Sequence, residues 1–251
     1  MRGAVDLAAS LIIPGKTSTF DINKIIEDYI IKNQGTSTFK GYGKNPHRPS
    51  FQHGSCTSIN NVLVHGIPNR KQIIQDGDLI SIDVGVTKDR CIADSCVSYG
   101  IGNIKQEYLE LLEASKEITL YGISLVQPGI RIYDLAIAIA IKAEQLGFIT
   151  VSGLYGHGTG SEVLHEKPVI PFTKPPYSEP IPNVRLQKDM TITIEPVIAF
   201  KSSKGKYIED QDKWTLRTSD GTWASQFEQT ILVTDKGYEI LTPPFPDRII
   251  I

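Results

Sequence analysis

The feature that most constrains the fold is a pattern that occurs twice along the chain. Residues 10–15 read SLIIPG and residues 124–129 read SLVQPG, and each ends an apolar pattern with the three- and four-residue spacing of a helix. A second pattern of this kind follows Asp21 in one copy and Asp134 in the other, and stops at a glycine, as helices commonly do. The matching helix-ending residues at corresponding places in the two copies indicate an internal duplication.

Each copy of the helix pair is followed by sequence typical of β-strands. Residues 78–87 and 91–99 follow the first copy, and residues 190–199 and 227–234 follow the second. This order predicts an α+β fold in which two pseudo-symmetric halves, residues 1–110 and 111–251, close around one cleft. With 251 residues, 40% hydrophobic content and no long linker, the chain is expected to form a single domain over residues 1–251.

The charge balance argues against polyanionic partners. The formal net charge is −2, from 26 basic and 28 acidic residues spread along the chain, so neither nucleic acid nor a membrane surface is an expected partner. The first residues lack the layout of a secretion signal, and no apolar run approaches the roughly 20 residues of a membrane span. The three cysteines, Cys56, Cys91 and Cys96, suit a reducing compartment better than a disulfide framework. We therefore expect a cytoplasmic protein.

Two aspartates stand inside apolar β sequence, where aspartate is disfavoured. In residues 79–87 isoleucine and valine alternate with other residues, which places Asp83 on the less apolar face. A two-residue loop at Lys88 and Asp89 would place Asp83 directly opposite Asp94 on the returning strand. Like charges in that position are destabilising unless a cation lies between them. The alternative is that both are solvated strand residues, which their apolar neighbours make less fitting.

The second half contains two more such acids and a histidine among glycines. Glu195 ends a strand whose other face is apolar, and the proline after it stops further sheet pairing. Glu228 lies within the apolar stretch 227–234. His157 stands in the string GHGTG, where the glycines allow close backbone approach and leave room for the imidazole to project. A lone histidine is usually structural, but four unexplained acids favour a metal ligand here.

Charge counting suggests how many ions such a site would hold. Four carboxylates and one neutral imidazole carry a charge of −4, which two divalent cations would neutralise. Mostly oxygen ligands with one nitrogen suit Mn, Fe(II), Co or Zn. The expected ligands of the two divalent metal ions are Asp83, Asp94, His157, Glu195 and Glu228.

These residues resemble the motifs of the type I methionine aminopeptidases, within the larger pita-bread group of metallopeptidases. The resemblance covers nearly the whole chain and includes the five metal-ligand positions in the correct order. Two further strings, 56–61 (CTSINN) and 64–68 (VHGIP), and the pair Trp214 and Thr215 also match. The resemblance implies a pita-bread fold, with a curved antiparallel sheet flanked by helices. It also implies a hydrolase that removes N-terminal methionine.

The resemblance also implies roles for individual residues. Glu195 would act as metal ligand and proton shuttle, while His65 contacts the substrate and His165 stabilises the oxygen of the tetrahedral intermediate. Cys56 and Trp214 would help to form the pocket for the methionine side chain. The implied substrates are the N-termini of nascent polypeptides when the second residue is small, which suggests a monomeric enzyme that works near the ribosome.

Two departures from the family pattern affect the expected site. His165 follows His157 by eight residues, one more than usual, so residues 161–164 must bulge if His165 is to reach the substrate. The segment from Phe39 to Cys56 is several residues longer than usual, with residues 45–49 inserted. That region lines the side-chain pocket in relatives, so the insertion bears on substrate preference.

Two other functions remain open from the sequence. The first is a pita-bread peptidase that cleaves before proline; such enzymes carry a Glu-Pro-Gly string, whereas Val197 follows Glu195 and Pro196 here. The second is a non-catalytic binding module on the same fold, which the complete set of five ligands argues against.

Overall fold

The computed structural model describes residues 1–251, and its helices occur as two similar pairs. Helices α1 and α2 span Arg2–Ser10 and Thr19–Lys32, and helices α3 and α4 span Gln106–Ser124 and Ile132–Gln145. Within each pair the two helices pack against each other. The predicted helices are therefore confirmed.

The turns inside the two pairs are alike in backbone geometry. Gly15 and Gly129 have φ angles of 77° and 91°, a left-handed conformation that glycine adopts at little cost. The N–H of Gly15 donates to the carbonyl of Ile74 at 2.8 Å, and that of Gly129 donates to the carbonyl of Leu186 at 2.8 Å. The two Pro-Gly strings thus make equivalent turns, which supports the duplication. The boundary between halves near residue 110 stays a prediction.

Fifteen strands form four small sheets. The strands of the first half are β1 Thr36–Ser37, β2 Cys56–Ile59, β3 Val62–Val64, β4 Leu79–Lys88 and β5 Cys91–Gly100. Those of the second half are β6 Phe148–Thr150, β7 Tyr155–Gly158, β8 Glu166–Pro171, β9 Thr191–Ile194, β10 Val197–Phe200, β11 Tyr207–Glu209, β12 Leu216–Thr218, β13 Ala224–Gln226, β14 Gln229–Val233 and β15 Tyr238–Ile240. A short 3₁₀ helix, Lys201–Ser203, follows β10.

The sheets contain three to five strands each, and all their strand pairs are antiparallel. Strand β4 has β5 on one edge and both β1 and β2 on the other. The largest sheet has the order β15-β14-β9-β7-β8, and two three-stranded sheets have the orders β13-β10-β6 and β11-β12-β3. Helices beside antiparallel sheets confirm the predicted α+β class.

The two halves meet where β5 lies against the segment that contains β13 and β14. Glu228 donates its N–H to the carbonyl of Cys96 at 3.0 Å. The Asp94 N–H donates to the Thr230 hydroxyl at 2.9 Å, and that hydroxyl donates to the Asp94 carbonyl at 2.7 Å. Residues of both halves are therefore held at fixed positions along this seam.

The main hydrophobic core lies between the helices and the sheets. It contains 39 buried residues, including Ile22 and Ile26 of α2 and Ile80 and Ile82 of β4. A separate cluster of six buried residues lies outside this core: Phe39, Phe51, Cys56, Ile92, Leu164 and Trp214. None of the helices combines the length and the apolar character that crossing a bilayer requires.

Candidate metal centre and adjoining pocket

The β4–β5 hairpin positions Asp83 and Asp94, but not in the predicted register. The loop consists of Asp89 and Arg90, with φ angles of 51° and 62°, so Asp83 pairs with Cys96 and Asp94 pairs with Gly85. Positive φ at both central residues is the geometry of a tight hairpin turn that matches strand twist. The prediction that the two aspartates are directly opposed is therefore wrong: they are diagonal neighbours.

The diagonal arrangement keeps both carboxylates on one face of the hairpin, because side chains two residues apart share a face. Asp94 lies opposite Gly85, which has no side chain to compete for the space. A Cβ atom on Gly85 would lie 2.6 Å from the Phe39 ring. The glycine thus lets an aromatic side chain approach the same face of the sheet.

Glu195 and Glu228 enter the site from places where strands stop. Glu195 follows β9 and precedes the proline that separates β9 from β10, as the sequence predicts. Its carboxylate accepts hydrogen bonds from the Thr193 hydroxyl at 2.6 Å and from the Gln226 amide at 3.3 Å. Glu228 lies in the break between β13 and β14, so the predicted strand over residues 227–234 is confirmed from Gln229 to Val233, but Phe227 and Glu228 lie outside it.

His157, in β7, faces these acids. Its backbone N–H donates to the Thr193 hydroxyl at 2.9 Å. The ring Nδ1 lies 2.9 Å from the Gly158 carbonyl oxygen, which can only accept a hydrogen bond, so Nδ1 carries the ring proton. The Nε2 atom lies 3.5 Å from Glu195 Oε1 and 3.9 Å from Asp94 Oδ2. The unprotonated nitrogen of the imidazole therefore points at the carboxylates.

The glycines beside His157 are required by close approach of neighbouring backbone. A Cβ on Gly156 would lie 2.7 Å from the Thr193 carbonyl oxygen, and one on Gly158 would collide with the Lys167 carbonyl. Side chains there would push β7 away from β8 and β9. The structure thus confirms the prediction that the glycines beside His157 allow neighbouring backbone to approach closely. The Thr193 hydroxyl helps to fix the backbone of His157.

The four acids lie close together, with Asp94 and Glu228 buried and Asp83 and Glu195 half-buried, which disfavours their charged forms. Burial raises the pKa of Asp94 to about 7 and that of Glu195 to about 8. Burial and the neighbouring carboxylates also raise the pKa of Asp83 and of Glu228. Burying several carboxylates without a cation is costly, so their convergence needs a positively charged partner.

The unpartnered atoms of this cluster fit a metal ion. One oxygen each of Asp83, Asp94 and Glu228 is buried without any hydrogen-bond donor. One ligand atom each of Asp94, His157 and Glu228 lies within 4.8 Å of the other two. Carboxylate oxygens with one imidazole nitrogen form a donor set that suits divalent transition metals. These residues could thus hold a metal ion, which would bind the unpartnered oxygens and offset the negative charge of the carboxylates.

The acids form one end of a cavity of about 250 Å³. The other end is apolar and comes from the separate cluster already described, with Tyr42 beside it. Two histidines and one arginine complete the wall: His65, His165 and Arg48. The cavity is slightly smaller than the roughly 300–1,000 Å³ usual for ligand pockets, which suits a single amino-acid side chain.

Cys56 and Trp214 both line this cavity, as the sequence resemblance implies. Cys56 begins β2 and pairs with Asp83, so it lies directly beside the acids. Trp214 precedes β12, and its indole N–H donates to the Pro49 carbonyl at 2.9 Å. Phe51 packs edge-on against the Trp214 ring, with 5.3 Å between ring centroids.

His65 lies on the cavity wall, where its ring packs edge-on against that of Trp214 with 6.0 Å between centroids. Its φ angle is 57°, a left-handed conformation that is uncommon for a residue with a side chain and often marks a functional position. Burial and the Arg48 guanidinium lower the pKa of His65 to about 4. The imidazole is therefore neutral over the ordinary working range of pH.

His165 also reaches the cavity, eight residues after His157. The Gly160 N–H donates to the Val163 carbonyl at 3.1 Å, which closes a turn, and the β7–β8 pairing is irregular between His157 and Gly158. The His165 ring lies 4.1 Å from that of His157, between centroids. Burial, His157, His65 and Arg48 lower its pKa to about 3. The predicted bulge over residues 161–164 thus brings His165 beside the proposed ligands.

Four residues of the wall were not identified from the sequence: Tyr42, Arg48, Phe51 and Leu164. Three of them lie in or beside the long segment between Phe39 and Cys56. Tyr42 and Phe51, which flank the polar stretch 43–50, were the available signal, because two aromatics flanking a polar loop can bury their rings while the loop stays exposed.

Comparison with known proteins agrees with this geometry. Residues 2–235 match metallopeptidase family M24. The chain is 37% identical to methionine aminopeptidase 1 of Bacillus subtilis over 232 residues, which are 92% of this chain and 87% of that protein. It is also similar to a crystal structure of methionine aminopeptidase from Thermotoga maritima, with 33% identity and a TM-score of 0.85 over 96% of this chain and 91% of that one.

A more distant similarity concerns the fold alone. A structure of an Xaa-Pro dipeptidase from Bacillus anthracis superposes with a TM-score of 0.74 at 20% identity, over 99% of this chain and 59% of that one. The shared architecture of these structures confirms the predicted pita-bread fold.

Proposed function

The chain belongs to metallopeptidase family M24, and we propose that it removes the N-terminal methionine from newly made proteins whose second residue is small. The observation that carries the proposal is the cavity itself. Four carboxylates and His157 converge at one end, an apolar pocket forms the other, and His65 and His165 lie between them. In this arrangement the residues for peptide hydrolysis lie at one end of the cavity, and the residues that would bind an apolar side chain lie at the other.

We propose two divalent ions, Mn, Fe, Co or Zn, held by Asp83, Asp94, His157, Glu195 and Glu228. Two ions would balance the four negative charges, whereas one would leave an excess that buried carboxylates do not tolerate. Such ions supply a water of lowered pKa and polarise a carbonyl oxygen. The orphaned oxygens of Asp83, Asp94 and Glu228 support this assignment.

The side chains around the ligands would orient and protonate the substrate. Glu195 receives a hydrogen bond from Thr193 and lies against His157, so its carboxylate is well placed to take a proton from the attacking water and deliver it to the leaving amine. His165, neutral because of its low pKa, can donate an N–H to the oxygen of the scissile carbonyl. His65 would contact the amide of the second residue.

The apolar end would hold the methionine side chain. Phe39, Phe51 and Leu164 provide apolar surface, and Cys56 and Trp214 belong to the same buried cluster. An unbranched thioether adapts to such an irregular apolar space and interacts well with aromatic rings. A bulky second residue would push the scissile bond away from the ligand end, and a small displacement of this kind is costly in rate.

The cellular setting is part of the same proposal. Nascent chains are made in the cytoplasm, so we place the protein there, close to ribosomes. Every residue of the proposed site comes from one chain, so a monomer would be sufficient for activity.

The test is a comparison of four tripeptides with the metal-loaded protein. Met-Ala-Ser is expected to be cleaved at least about ten times faster than Met-Lys-Ser or Leu-Ala-Ser, and Ala-Pro-Ser is not expected to be cleaved. Preferential cleavage of Ala-Pro-Ser would assign the protein to enzymes that cleave before proline. No cleavage of any peptide would favour a non-catalytic binding module.

A further inference from the structure

The loop between Tyr42 and Phe51 is a structured hairpin. Tyr42 and Phe51 join its two ends, since the Phe51 N–H donates to the Tyr42 carbonyl at 2.9 Å. Near the tip, Asn45 and Arg48 exchange backbone hydrogen bonds of 3.1 and 3.3 Å. The Pro49 carbonyl then accepts the Trp214 indole N–H. The backbone that carries Arg48 is thus held on both sides.

This loop lays the Arg48 guanidinium on the wall of the cavity. The guanidinium carbon lies 3.9 Å from the centre of the Trp214 ring, a stacking distance. The Nε atom donates a long hydrogen bond of 3.4 Å to the Gly43 carbonyl. A Cβ on Gly43 would lie 2.5 Å from the Trp214 ring, so glycine is needed for the loop to lie this close.

The guanidinium is a cation without an ionic partner. Arg217 is paired with Asp210 and Arg2 with Asp6, but Arg48 forms no ion pair with any carboxylate of the chain. Its two terminal nitrogens keep their donors free while the side chain lines the pocket. A planar fork of unpaired donors is suited to bidentate binding of a carboxylate.

The position of Arg48 relates it to the histidines and not to the acids. The Trp214 ring that carries the guanidinium also packs edge-on against His65, with 6.0 Å between ring centroids. Tyr42, at the base of the same loop, lies 5.0 Å from His165 between ring centroids. The cation therefore lies towards the side where, under the proposed function, the substrate continues beyond its first residue.

We propose that Arg48 is a specificity-determining residue that binds a carboxylate on the leaving part of the peptide. This rests on the proposed function, and the carboxylate could be an acidic side chain after the second residue or the free C-terminus of a short peptide. A carboxylate on the first side chain fits less well, because it would lie among Phe51, Leu164 and Cys56 with four further acids nearby.

The test compares matched peptides that differ only in this charge. Met-Ala-Glu-amide against Met-Ala-Gln-amide examines the side-chain source, and Met-Ala-Gln free acid against its amide examines the C-terminal source. At least one of these ratios of kcat/KM is expected to be about tenfold in the wild type, as for one charge-assisted bidentate contact at a partly exposed site. A ratio measured on one enzyme preparation cancels differences in metal content and folded fraction.

Three variants then assign the ratio to Arg48. Arg48→Gln is expected to reduce it to about one, and Arg48→Lys to an intermediate value, because lysine retains the charge without the fork. Lys44→Gln is the matched control: it removes the same charge from the same loop, but Lys44 is exposed and does not line the cavity. The wild-type ratio is expected to persist in that control.

Other outcomes overturn the proposal. Ratios of one in both wild-type comparisons, or a preference that persists in Arg48→Gln, would remove the role of Arg48. Faster cleavage of Glu-Ala-Ser-amide than of Met-Ala-Ser-amide, lost in Arg48→Gln, would move the bound carboxylate to the first residue. Failure to cleave any methionyl peptide would instead overturn the proposed function, and this inference with it.

Discussion

The two ends of the cavity are built by different means. At the acidic end, Asp83, Asp94 and His157 project from paired strands, and Thr193 ties His157 to Glu195. At the apolar end, most of the wall comes from loops, including the segment between Tyr42 and Phe51 and the turn before His165. The ligands of the first end are positioned by strand pairing and the Thr193 hydroxyl, whereas the second end is built mainly by loops whose side chains pack together.

The difference indicates which end can vary without loss of the fold. A ladder of strand pairs fixes each ligand relative to its neighbours, so a one-residue slip would turn an acid to the wrong face. Loops tolerate changes in length, and the loop that contains residues 45–49 contributes Arg48 to the pocket while β2 stays paired with β4 beside it. We therefore expect changes at the acidic end to abolish chemistry and changes at the apolar end to alter selectivity.

The largest expected effect is removal of the metal from the acidic end. Treatment with a chelator is expected to abolish activity, and Mn(II), Co(II) or Fe(II) to restore it. Metal at about a thousandfold excess over its Kd would also stabilise the folded state by about 4 kcal/mol, or a rise in Tm of roughly 8–16 °C for a chain of this size. Activity and thermal unfolding before and after chelation measure both effects. Full activity of metal-free protein would contradict the proposed mechanism.

A second prediction separates a ligand from an acid in the same hairpin. Asp94→Asn is expected to lower kcat/KM by about a hundredfold or more, because even residues that only support metal ligands contribute about 10–100-fold. Asp89→Asn is the control, since Asp89 lies in the exposed turn and asparagine tolerates its positive φ. Titration with Mn(II) should show weakened binding for Asp94→Asn alone. Similar losses in both variants would exclude a specific role for Asp94.

The sequence identified the residues of the acidic end, but it did not predict the register of the hairpin that carries two of them. Asp83, Asp94, Glu195 and Glu228 were recognisable because their charge conflicts with the apolar sequence around them. The register of Asp83 was predicted wrongly because the hairpin loop has no glycine or Asn-Gly signal to locate it. Neighbouring strands decide the register here: Cys56 pairs with Asp83, and Glu228 binds the carbonyl of Cys96.

The apolar end was less predictable because its contacts join distant parts of the chain. Arg48 lines the cavity because Pro49 binds Trp214, which lies 165 residues further along. No local propensity reports such a contact, and a loop of mixed polar residues is compatible with many conformations. The helices of both halves, by contrast, were predictable from local spacing and from the Pro-Gly turns.

A third prediction concerns selectivity at the apolar end. Leu164→Ala is expected to reduce the preference for Met-Ala-Ser over Leu-Ala-Ser about tenfold, since one missing group in an apolar pocket changes discrimination by about 1–3 kcal/mol. Ile92→Ala is the matched control: Ile92 belongs to the same buried cluster but does not line the cavity. Both variants lose core stability, so the ratio of kcat/KM values is the informative measurement. An equal change in both variants would indicate general loosening of the cluster.

The smallest expected effect is the pH dependence that His65 introduces between the two ends. The pKa of His65 is about 4 in the folded protein and about 6.5 in the unfolded chain, so between these values the unfolded chain binds more protons. Stability is therefore lost as the pH falls below 6.5. Between pH 7.5 and 5.5 this residue is expected to lower the free energy of unfolding by about 1 kcal/mol, a value that allows for the partial exposure of the ring to solvent.

His65→Asn isolates this contribution, because asparagine accepts the left-handed backbone of His65 without titrating. The measurement is the free energy of urea unfolding of metal-free protein at pH 7.5 and 5.5. The loss of this free energy on acidification should be smaller in His65→Asn than in the wild type, whereas His47→Asn, which changes an exposed histidine between Tyr42 and Phe51, should match the wild type. An unchanged loss in His65→Asn would mean that His65 titrates normally in the folded state, and its neutral role at the centre of the cavity would have to be abandoned.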